Sequence, residues 1–308
     1  MDRALSLLEA IPYLRAYAGQ RFVIKLGGGL LENSAGLIRD VAALSRLGIG
    51  VVLVHGGGPQ LDDAARQRGL STRRIAGRRI TSPALVQTAA QVWRGELSLA
   101  LISALRREGE LAVGLSGADG GLLTAARRPP QVVVDDTGTR QTVDYGQVGD
   151  VVSYQGAALE GMLAAGFIPV VSPLAMSESG ELLNVNADTV AATIAAGMGA
   201  AKLILMTTAP GILSDPSNPS TALHWIDLDG LAALESAGSL TGGMRPKLAA
   251  IRLALGRGVP RVHVIDGRKP GALLEEVFTT EGCGTLVVEA AERCPPELSF
   301  SAQAPAAR

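Results

Sequence analysis

The sequence has 308 residues, enough for one large α/β domain or for two domains of about 150 residues each. Hydrophobic residues make up 47% of the chain and charged residues 19%, which excludes wholesale disorder. The formal net charge of −1 excludes the basic footprint of a protein that binds nucleic acid or an anionic membrane.

Cysteine and histidine are too sparse for a metal or disulfide scaffold. The chain has 2 cysteines and 3 histidines, and no CxxC or HExxH pattern joins them. We therefore expect no metal-binding residues and a reducing, cytoplasmic environment. We also expect no membrane partner, because the longest apolar run, 190–201, is too short to span a bilayer.

The first part of the chain alternates short apolar runs with helical periodicity. We predict, in order, an amphipathic helix over 3–17 that Pro12 kinks or ends, a strand at 22–24, helical patterning to 47, a strand at 50–54, a helix at 60–69, an irregular basic segment at 70–83, a long helix at 83–108 and a strand at 111–115. The first two strands each run into a glycine-rich stretch.

The second part begins with short β-rich pieces over 121–155. There follow a predicted helix at 156–166, a strand at 168–172, a helix of small residues ending near 199, a strand at 202–206, helices at 227–237 and 245–257, strands at 261–265 and 284–288, and a frayed tail from 289. Such alternation predicts an α/β fold with a mainly parallel sheet, whose ligands bind at the carboxyl ends of the strands.

Two glycine loops, Gly27–Gly29 and Gly56–Gly58, follow two successive predicted strands. Backbone N–H groups at such strand-to-helix turns form a cradle for anions. Tight turns are the alternative for either loop alone, but two loops at equivalent positions favour anion binding.

The chain has only four lysines: Lys25, Lys202, Lys247 and Lys269. No GxxxxGK[ST] phosphate loop and no complete GxGxxG fingerprint is present. Lys25 nevertheless directly precedes the first glycine loop, and Lys247 stands at a predicted helix start, where a compact positive charge suits phosphate oxygens. We expect Lys202 and Lys269 to be solvated.

The segment NVNAD, residues 184–188, places three polar side chains before an apolar helix. One of them is expected to cap the helix. We expect Asp188 to orient two lysines around a transferring phosphoryl group, and Asn184 and Asn186 to bind the acceptor. No GxSxG elbow supports a serine nucleophile, and we expect His55 to bond the backbone rather than act as a base.

Seven segments in order strongly resemble the amino-acid kinase superfamily and, within it, the acetylglutamate kinases. They are KLGG at 25–28, HGGGPQ at 55–60, RIT at 79–81, GLSGADG at 114–120, NVNADT at 184–189, TGGMRPK at 241–247 and IDGR at 265–268. The resemblance implies a three-layer αβα sandwich, with an N-terminal helix at 1–20, a kinase domain at 21–288 and a flexible tail at 289–308. An N-lobe, about 21–180, would bind the acceptor, and a C-lobe, about 181–288, the nucleotide.

The resemblance also implies transfer of the γ-phosphoryl group of MgATP to the side-chain carboxylate of N-acetyl-L-glutamate, in arginine biosynthesis. Because a carboxylate is ionised at neutral pH, this reaction needs no general base. Catalysis then consists of alignment and neutralisation of phosphoryl charge. The implied cofactors are ATP and Mg²⁺, with the metal held mainly by the phosphates.

The same resemblance assigns roles to individual residues. The residues assigned to catalysis are Lys25, Lys247 and Asp188. The residues assigned to acceptor binding are Gly57, Gly58, Arg79, Asn184 and Asn186. The residues assigned to phosphate or nucleotide binding are Gly27, Gly28, Thr207, Thr208, Gly243 and Met244. The N-terminal helix resembles that of arginine-inhibited, hexameric members, or else is a simple packing helix. A candidate arginine site comprises Tyr13, Glu276, Gly282 and Gly284, and we expect a homo-oligomer, either a dimer or a hexamer.

Five positions depart from the family pattern: Ser98, Leu99, Ala118, Thr208 and Gly271 stand where Asn, Lys, Lys, Asp and His are usual. They leave two alternatives open. One is a kinase of the same fold for a related acylated amino acid, such as acetylaminoadipate or succinylglutamate. The other is a catalytically weak arginine-sensing module, like the kinase-like domain attached to some acetylglutamate synthases. We expect no acetyltransferase domain, and retention of Lys25, Asp188 and Lys247 favours a kinase.

Overall fold

A computed structural model describes residues 3–75, 77–134, 139–238, 240 and 244–290. The helices are α1 (Arg3–Tyr17), α2 (Ala35–Arg46), α3 (Gly58–Gln67), α4 (Pro83–Ala90), α5 (Ser98–Arg107), α6 (Ala157–Ala164), α7 (Ala187–Gly197), α8 (Leu228–Ser236), α9 (Met244–Leu255) and α10 (Ala272–Phe278). The strands are β1 (Arg21–Leu26), β2 (Gly50–His55), β3 (Arg74–Ile75), β4 (Arg78–Arg79), β5 (Ala112–Ser116), β6 (Leu123–Arg127), β7 (Gln131–Val134), β8 (Arg140–Val143), β9 (Gly149–Tyr154), β10 (Ile168–Ser172), β11 (Leu174–Met176), β12 (Leu182–Asn184), β13 (Lys202–Thr207), β14 (Trp225–Asp227), β15 (Val262–Asp266) and β16 (Thr285–Val288).

The central sheet has the strand order β14-β16-β15-β13-β1-β2-β10-β5. Neighbouring strands are parallel except for β15 and β16, which pair antiparallel. The predicted mainly parallel sheet is therefore confirmed. β1 and β2 lie side by side in its middle, so the two glycine loops that follow them leave the same edge.

Helices cover both faces of this sheet, because side chains alternate along each strand. Phe22 and Ile24 of β1 belong to a core that includes side chains of α2, α5 and α10. Val23 points the other way, into a core that includes side chains of α7, α8 and α9. Burying each such side chain stabilises the fold by about 1.5–3 kcal/mol. The three-layer αβα sandwich is thus also confirmed.

Smaller sheets complete the fold. Strands β12-β11-β6-β9 form a four-stranded sheet, while β3 with β4 and β7 with β8 form two antiparallel hairpins. A small separate core joins these hairpins, with Ile75, Val143, Tyr145 and Val148 buried together. Arg74, Arg78 and Arg79 all belong to the first hairpin, which holds them on one short structure.

Three predictions about elements need correction or qualification. Pro12 does not end α1, since the helix continues to Tyr17, and the packing of Tyr13 and Tyr17 against the core stabilises the turn beyond the proline. The segment 70–83 is not irregular throughout, because it contains the β3–β4 hairpin. The long helix at 83–108 is present, but a π-helical segment, Gln91–Leu97, joins α4 to α5.

The predictions about the C-terminal tail and about the two lobes are not tested by the described residues. Of the predicted flexible tail, residues 291–308 lie outside the described residues. The division into an acceptor lobe and a nucleotide lobe stays a prediction. Within the described ranges, no helix has the length and apolar character needed to cross a membrane.

Candidate active site

Lys25, Asp188 and Lys247 meet at the carboxyl end of β1. Lys25 shares the face of β1 that carries Val23, and α7 and α9 cover this face. Lys25 Nζ lies 2.7 Å from Asp188 Oδ1, and Lys247 Nζ lies 3.5 Å from the same oxygen. All three residues are buried, with at most 8% of their surface exposed. Each stands at the end of an element: Lys25 is the penultimate residue of β1, Asp188 lies in the first turn of α7 and Lys247 in the first turn of α9.

The charges of this trio depend on one another. Burial alone would raise the pKa of the Asp188 carboxyl, but the ammonium groups of Lys25 and Lys247 outweigh burial and hold it below its usual range. Burial lowers the pKa of Lys247, Asp188 opposes the shift and Lys25 adds to it. The site therefore carries two ammonium groups on one carboxylate, which leaves a net positive charge for an anionic ligand.

The two glycine loops approach each other beside this trio. A Cβ on Gly28 would lie 2.9 Å from Pro59 Cδ and 3.1 Å from the amide nitrogens of both Gly57 and Gly58. Gly58 is the first residue of α3, where backbone N–H groups have no partner within the helix. These amides form a ready anion site next to the lysines.

Gly27 differs from the other glycines expected to bind phosphate. Its N–H already donates to the carbonyl of Met206 on β13, at 3.2 Å. In the same way, the N–H of Gly56 donates to the carbonyl of Leu26, at 2.8 Å. Of the predicted pair Gly27 and Gly28, it is thus Gly28 whose position suits a phosphate.

A cavity of about 240 Å³ lies beside the second glycine loop. Among the described residues that line it are four arginines and no carboxylate: Arg74, Arg78, Arg79 and Arg128. Gly57, Gly58, Asn184 and Asn186, all expected at the acceptor, line the same cavity. The structure therefore brings the predicted acceptor residues together in one strongly positive pocket.

Carboxylates hold three of these arginines: Asp62 pairs with Arg74 and Arg79, and Asp150 pairs with Arg128. Arg79 pairs with Asp62 through both terminal nitrogens, and it also donates to the carbonyl of Gly58, at 3.1 Å. Arg128 makes a two-point contact with Asp150, at 2.5 and 3.0 Å. Burial would raise the pKa of Asp62, but Arg79 and Arg74 hold it below its usual range. Asp62 thus orients Arg79 while leaving the lining of the cavity cationic.

The two asparagines of the NVNAD segment have different contacts. The Asn186 side-chain carbonyl accepts from the amides of Asp188 and Thr189, at 2.8 and 3.1 Å, and so caps α7. The Asn184 side-chain amide donates to Thr81 Oγ1, at 3.1 Å. Asn186 is therefore the structural cap that the sequence predicted within this segment, and this cap holds Asp188 in position.

The residues expected on the nucleotide side are less tightly grouped. Thr207 Oγ1 accepts from the amide of Ala209, at 2.8 Å. The methyl group of Thr208 faces the first glycine loop, 3.6 Å from where a Cβ on Gly29 would lie. Met244 begins α9, whereas Gly243 lies outside the described residues.

The prediction that Lys202 is solvated is wrong. Its side chain is buried, its Nζ lies 3.0 Å from His263 Nε2, and it sits over the ring of Tyr17 at 4.9 Å. An ammonium group has only donors, so His263 accepts at Nε2 and donates from Nδ1 to Glu276, at 2.6 Å. Lys269, in contrast, is exposed as predicted and pairs with Glu275.

The Lys202–His263–Glu276 chain lines a second cavity, of about 110 Å³, between α1 and the end of α10. Tyr13, Glu276 and Gly282 of the candidate arginine site line it, and Gly284 donates its amide to Glu276, at 2.9 Å. Burial, with Lys202 adding, lowers the pKa of His263 to about 4. Burial opposes ionisation of Glu276, but the hydrogen bonds from His263 and two backbone amides lower its pKa to about 2.

His55 bonds the backbone, as predicted. Its Nδ1 lies 2.8 Å from the carbonyl oxygen of Gly56, and the side chain is fully buried. Burial lowers the pKa of His55 to about 4, so the ring is neutral at pH 7. A neutral, buried imidazole that bonds its own loop is part of the scaffold of the second glycine loop.

Several residues of the site were not predicted from the sequence: Asp62, Trp93, Arg74, Arg78 and Arg128. The indole of Trp93 donates to the carbonyl of Gly57, at 2.9 Å. The only local signal for Asp62 is its place four residues after Gly58, on the first turns of α3.

Among the departures from the family pattern, Ser98 is buried, Leu99 is exposed, and Gly271 adopts φ +77°, a conformation that favours glycine.

Comparison with known proteins agrees with this geometry. The sequence profile described as "Amino acid kinase family" matches residues 20–266. The acetylglutamate kinase of Myxococcus xanthus is 41% identical over 291 residues, which cover 93% of this chain and 94% of that protein. The chain belongs to the amino acid kinase family. A second relative of this amino acid kinase, the acetylglutamate kinase of Methanothermobacter thermautotrophicus, is 39% identical over 287 residues, 92% of this chain and 98% of that protein.

Solved structures resemble this amino acid kinase over most of its length. N-acetylglutamate synthase from Neisseria gonorrhoeae, complexed with coenzyme A and N-acetyl-glutamate, has a TM-score of 0.79 at 29% identity and covers 94% of this chain. This chain spans 64% of the length of that synthase. Giardia carbamate kinase, with a TM-score of 0.63 at 17% identity over 89% of this chain, shares the fold.

Proposed function

We propose that this amino acid kinase transfers the γ-phosphoryl group of ATP to the side-chain carboxylate of N-acetyl-L-glutamate, in arginine biosynthesis. The observation that carries the proposal is the pair of buried ammonium groups, Lys25 and Lys247, on the single carboxylate Asp188. The trio lies beside the amides of two glycine loops. The relatives named acetylglutamate kinase, at about 40% identity, supply the identity of the acceptor.

The chemistry requires positive charge and alignment rather than proton transfer. An oxygen of the acceptor carboxylate attacks the γ-phosphorus, the bond from phosphorus to the β–γ bridging oxygen breaks, and ADP leaves with the bonding electrons. Lys25 and Lys247 neutralise the charge on the phosphoryl oxygens, and Asp188 holds both lysines in place. The amides of Gly28, Gly57 and Gly58 donate to the same oxygens.

The arginine-lined cavity suits an acceptor with two carboxylates. One carboxylate of N-acetylglutamate points at the lysines and reacts, while the other binds the guanidinium of Arg79. Three of the five N–H donors of Arg79 are bonded to Asp62 and Gly58, and the remaining two would donate to that carboxylate. Asp62 pre-orients Arg79 for this contact, and the side-chain amide of Asn184 lines the same cavity.

The residues fit a nucleotide whose own phosphates carry Mg²⁺. In the described part of the chain, no group of three or more His, Cys, Asp or Glu is placed to hold a metal ion. Asp188 is already engaged by two ammonium groups, so it is poorly suited to act as a metal ligand. Mg²⁺ carried by the nucleotide would neutralise negative charge that develops on the leaving group.

Acyl phosphate formation, trapped as the hydroxamate, tests the proposal. N-acetylglutamate is compared with N-acetylaminoadipate, N-succinylglutamate, aspartate and carbamate. Turnover with N-acetylglutamate well above the others supports the proposal. Preference for acetylaminoadipate or succinylglutamate moves the assignment to that acceptor, and no turnover by folded protein overturns the kinase function.

We also propose that arginine binds the cavity beside α1 and inhibits the enzyme. Its lining offers carboxylates for a guanidinium, on Glu276 and Glu281, and cations for a carboxylate, on Lys202 and Arg261. A gonococcal N-acetylglutamate synthase complexed with L-arginine is 28% identical to this chain, with a TM-score of 0.77. A turnover rate unchanged by millimolar arginine would contradict this second role. The cytoplasmic location and the homo-oligomeric state, a dimer or a hexamer, stay predictions.

A further inference from the structure

Trp93 makes a buried contact with the second glycine loop that the proposed mechanism has not used. Its indole N–H donates to the carbonyl oxygen of Gly57, at 2.9 Å, and the side chain is 4% exposed. The same oxygen accepts from the amide of Leu61, at 3.0 Å, in the first turn of α3. Two donors fill the two lone pairs of this carbonyl, so its direction is fixed.

Fixing this carbonyl also fixes the neighbouring amide. The peptide bond between Gly57 and Gly58 is planar and trans, so the N–H of Gly58 points opposite to the C=O of Gly57. The carbonyl points toward α3 and the indole. The nitrogen of Gly58 lies on the side of the first glycine loop, 3.1 Å from where a Cβ on Gly28 would lie. The N–H of Gly58 therefore points into the gap between the two glycine loops.

The helix that carries Trp93 has an irregularity at this point. Trp93 lies in the π-helical segment Gln91–Leu97, and Leu97, four residues later, touches the same glycine. A Cβ on Gly57 would meet Trp93 Nε1 and Leu97 Cδ1 at 2.6 Å each. Single π-helical turns occur frequently at functional sites. Here the π-helical turn presses two side chains against the backbone of the phosphate-binding loop.

We propose that Trp93 is a positioning residue for phosphoryl transfer, whose indole N–H aims the amide of Gly58 at the transferring group. The inference rests on the proposed kinase function, since it concerns the same loop. It adds a specific source of alignment: a buried hydrogen bond from the π-helical segment that packs against α3. Such a bond matters most in the transition state, when charge accumulates on the oxygens that the amide contacts.

The test compares Trp93→Phe with the wild type at 25 °C, using the acceptor that the wild type turns over fastest. Phenylalanine keeps an aromatic ring but removes the N–H donor. We expect kcat to fall about tenfold, the size of one lost hydrogen bond in the transition state, while KM for ATP stays within about twofold. Wild-type turnover with N-acetylglutamate tests the proposed function separately, because the inference depends only on the ratio of variant to wild type.

A matched control separates positioning from stability. Thr285 lies on β16, three strands from β1 in the central sheet, and its buried Oγ1 donates to the carbonyl of Leu223 and accepts from the amide of Ile212. Thr285→Val therefore also removes buried side-chain hydrogen bonds to the backbone. We expect it to lower the unfolding temperature but to retain the wild-type kcat. A kcat of Trp93→Phe equal to that of the wild type overturns the inference, as does an equal kcat loss in Thr285→Val.

Two further measurements cover the cases in which this comparison fails. If Trp93→Phe does not fold, 3-benzothienylalanine at position 93 replaces the N–H by sulfur in a ring of the same shape, with the same expected loss. If the wild type shows no turnover, the amide resonance of Gly58 is compared between wild type and variant. A shifted, faster-exchanging amide in the variant supports the inference, and an unchanged resonance contradicts it.

Discussion

Lys25 Nζ lies 2.7 Å from Asp188 Oδ1, in a contact that joins the end of β1 to the first turn of α7. Both side chains are about nine-tenths buried, so bulk water screens their interaction only weakly. Lys247 reaches the same oxygen from the first turn of α9. The contact sets the charge of the site, because it keeps one carboxylate between two ammonium groups.

Removal of either lysine should reduce turnover far more than substrate binding. We expect Lys25→Ala or Lys247→Ala to lower kcat by about 100- to 1,000-fold, because each lysine stabilises charge that accumulates in the transition state. KM for either substrate should change by less than about tenfold. Steady-state kinetics measure both, with Lys269→Ala, which removes an exposed lysine paired with Glu275, as the control. Loss of binding with turnover intact would contradict the assigned role.

Asp188→Asn should destabilise the fold as well as abolish activity. The substitution keeps the shape of the side chain but leaves two buried ammonium groups without their carboxylate. Breaking a buried ion pair in this way costs about 3–5 kcal/mol in the free energy of unfolding. Urea titration followed by circular dichroism measures the cost. Wild-type stability in the variant would mean that Asp188 does not hold the lysines.

The alkaline limb of the pH–rate profile should begin below the ordinary range of a lysine. Burial lowers the pKa of Lys247, and Lys25 adds to the shift against the opposing effect of Asp188. Deprotonation removes the charge that faces the phosphoryl group, so kcat/KM, which reports the pKa values of the free enzyme, falls as pH rises through that lowered pKa. Lys247→Arg supplies the comparison, because a guanidinium stays charged throughout the range. If the remaining activity of Lys247→Arg fell over the same alkaline pH range as that of the wild type, Lys247 would not be the titrating group.

Arg79→Lys should weaken acceptor binding selectively. A lysine keeps the positive charge but loses the two-point contact with Asp62, and with it the fixed orientation of the donors that face the acceptor carboxylate. We expect KM for N-acetylglutamate to rise about 10- to 100-fold, the equivalent of one or two charge-assisted hydrogen bonds, with KM for ATP unchanged. Initial rates with each substrate varied in turn distinguish the two. An equal rise in both KM values would indicate a general distortion of the site.

The fold should lose stability in mild acid. Burial lowers the pKa of His55 and of His263 to about 4, from the ordinary 6.5. Between these values the unfolded chain binds protons that the folded chain does not, so the free energy of unfolding decreases as pH falls from 6.5 toward 4. Above pH 6.5 both contributions are fully present.

Urea unfolding at several pH values between 4.5 and 7.5 tests this prediction. His263→Asn should show a shallower pH dependence than the wild type, because one of the two buried imidazoles is gone. Substitution of the exposed His224 by Asn is the matched control and should leave the slope unchanged. Parallel slopes for the wild type and His263→Asn would contradict the role of His263.

Much of the fold and the centre of the site could be predicted because local signals coincide there. The glycine loops directly follow apolar strands, and Lys25, Asp188 and Lys247 each stand at the end of an element. Parallel strands expose their carboxyl ends at one edge, which predicts where Lys25 and the two glycine loops lie. Asp188 and Lys247 begin α7 and α9, the helices that cover this face of β1. The capping role of Asn186 follows from local sequence in the same way.

The features that the sequence did not predict depend on contacts between distant parts of the chain. Lys202 begins a strand, where a lysine is usually solvated, and its burial comes from His263 on β15 and Tyr17 on α1. Trp93 contacts Gly57 from a π-helical segment, which has no local sequence signature. Arg79 was expected at the acceptor, but Arg74 and Arg78 belong to a segment that was expected only to be basic and irregular, and the fold turns them toward the same cavity.

Isotope transfer tests the central claim most directly. N-acetylglutamate labelled with ¹⁸O in its side-chain carboxylate is incubated with MgATP and the protein, and the phosphorus product is followed by ³¹P NMR. Direct attack of the carboxylate on the γ-phosphorus predicts an acyl phosphate with ¹⁸O bonded to phosphorus, formed by the wild type and lost in Lys25→Ala. Release of unlabelled inorganic phosphate alone would contradict the account, because the γ-phosphoryl group would then have gone to water rather than to the acceptor.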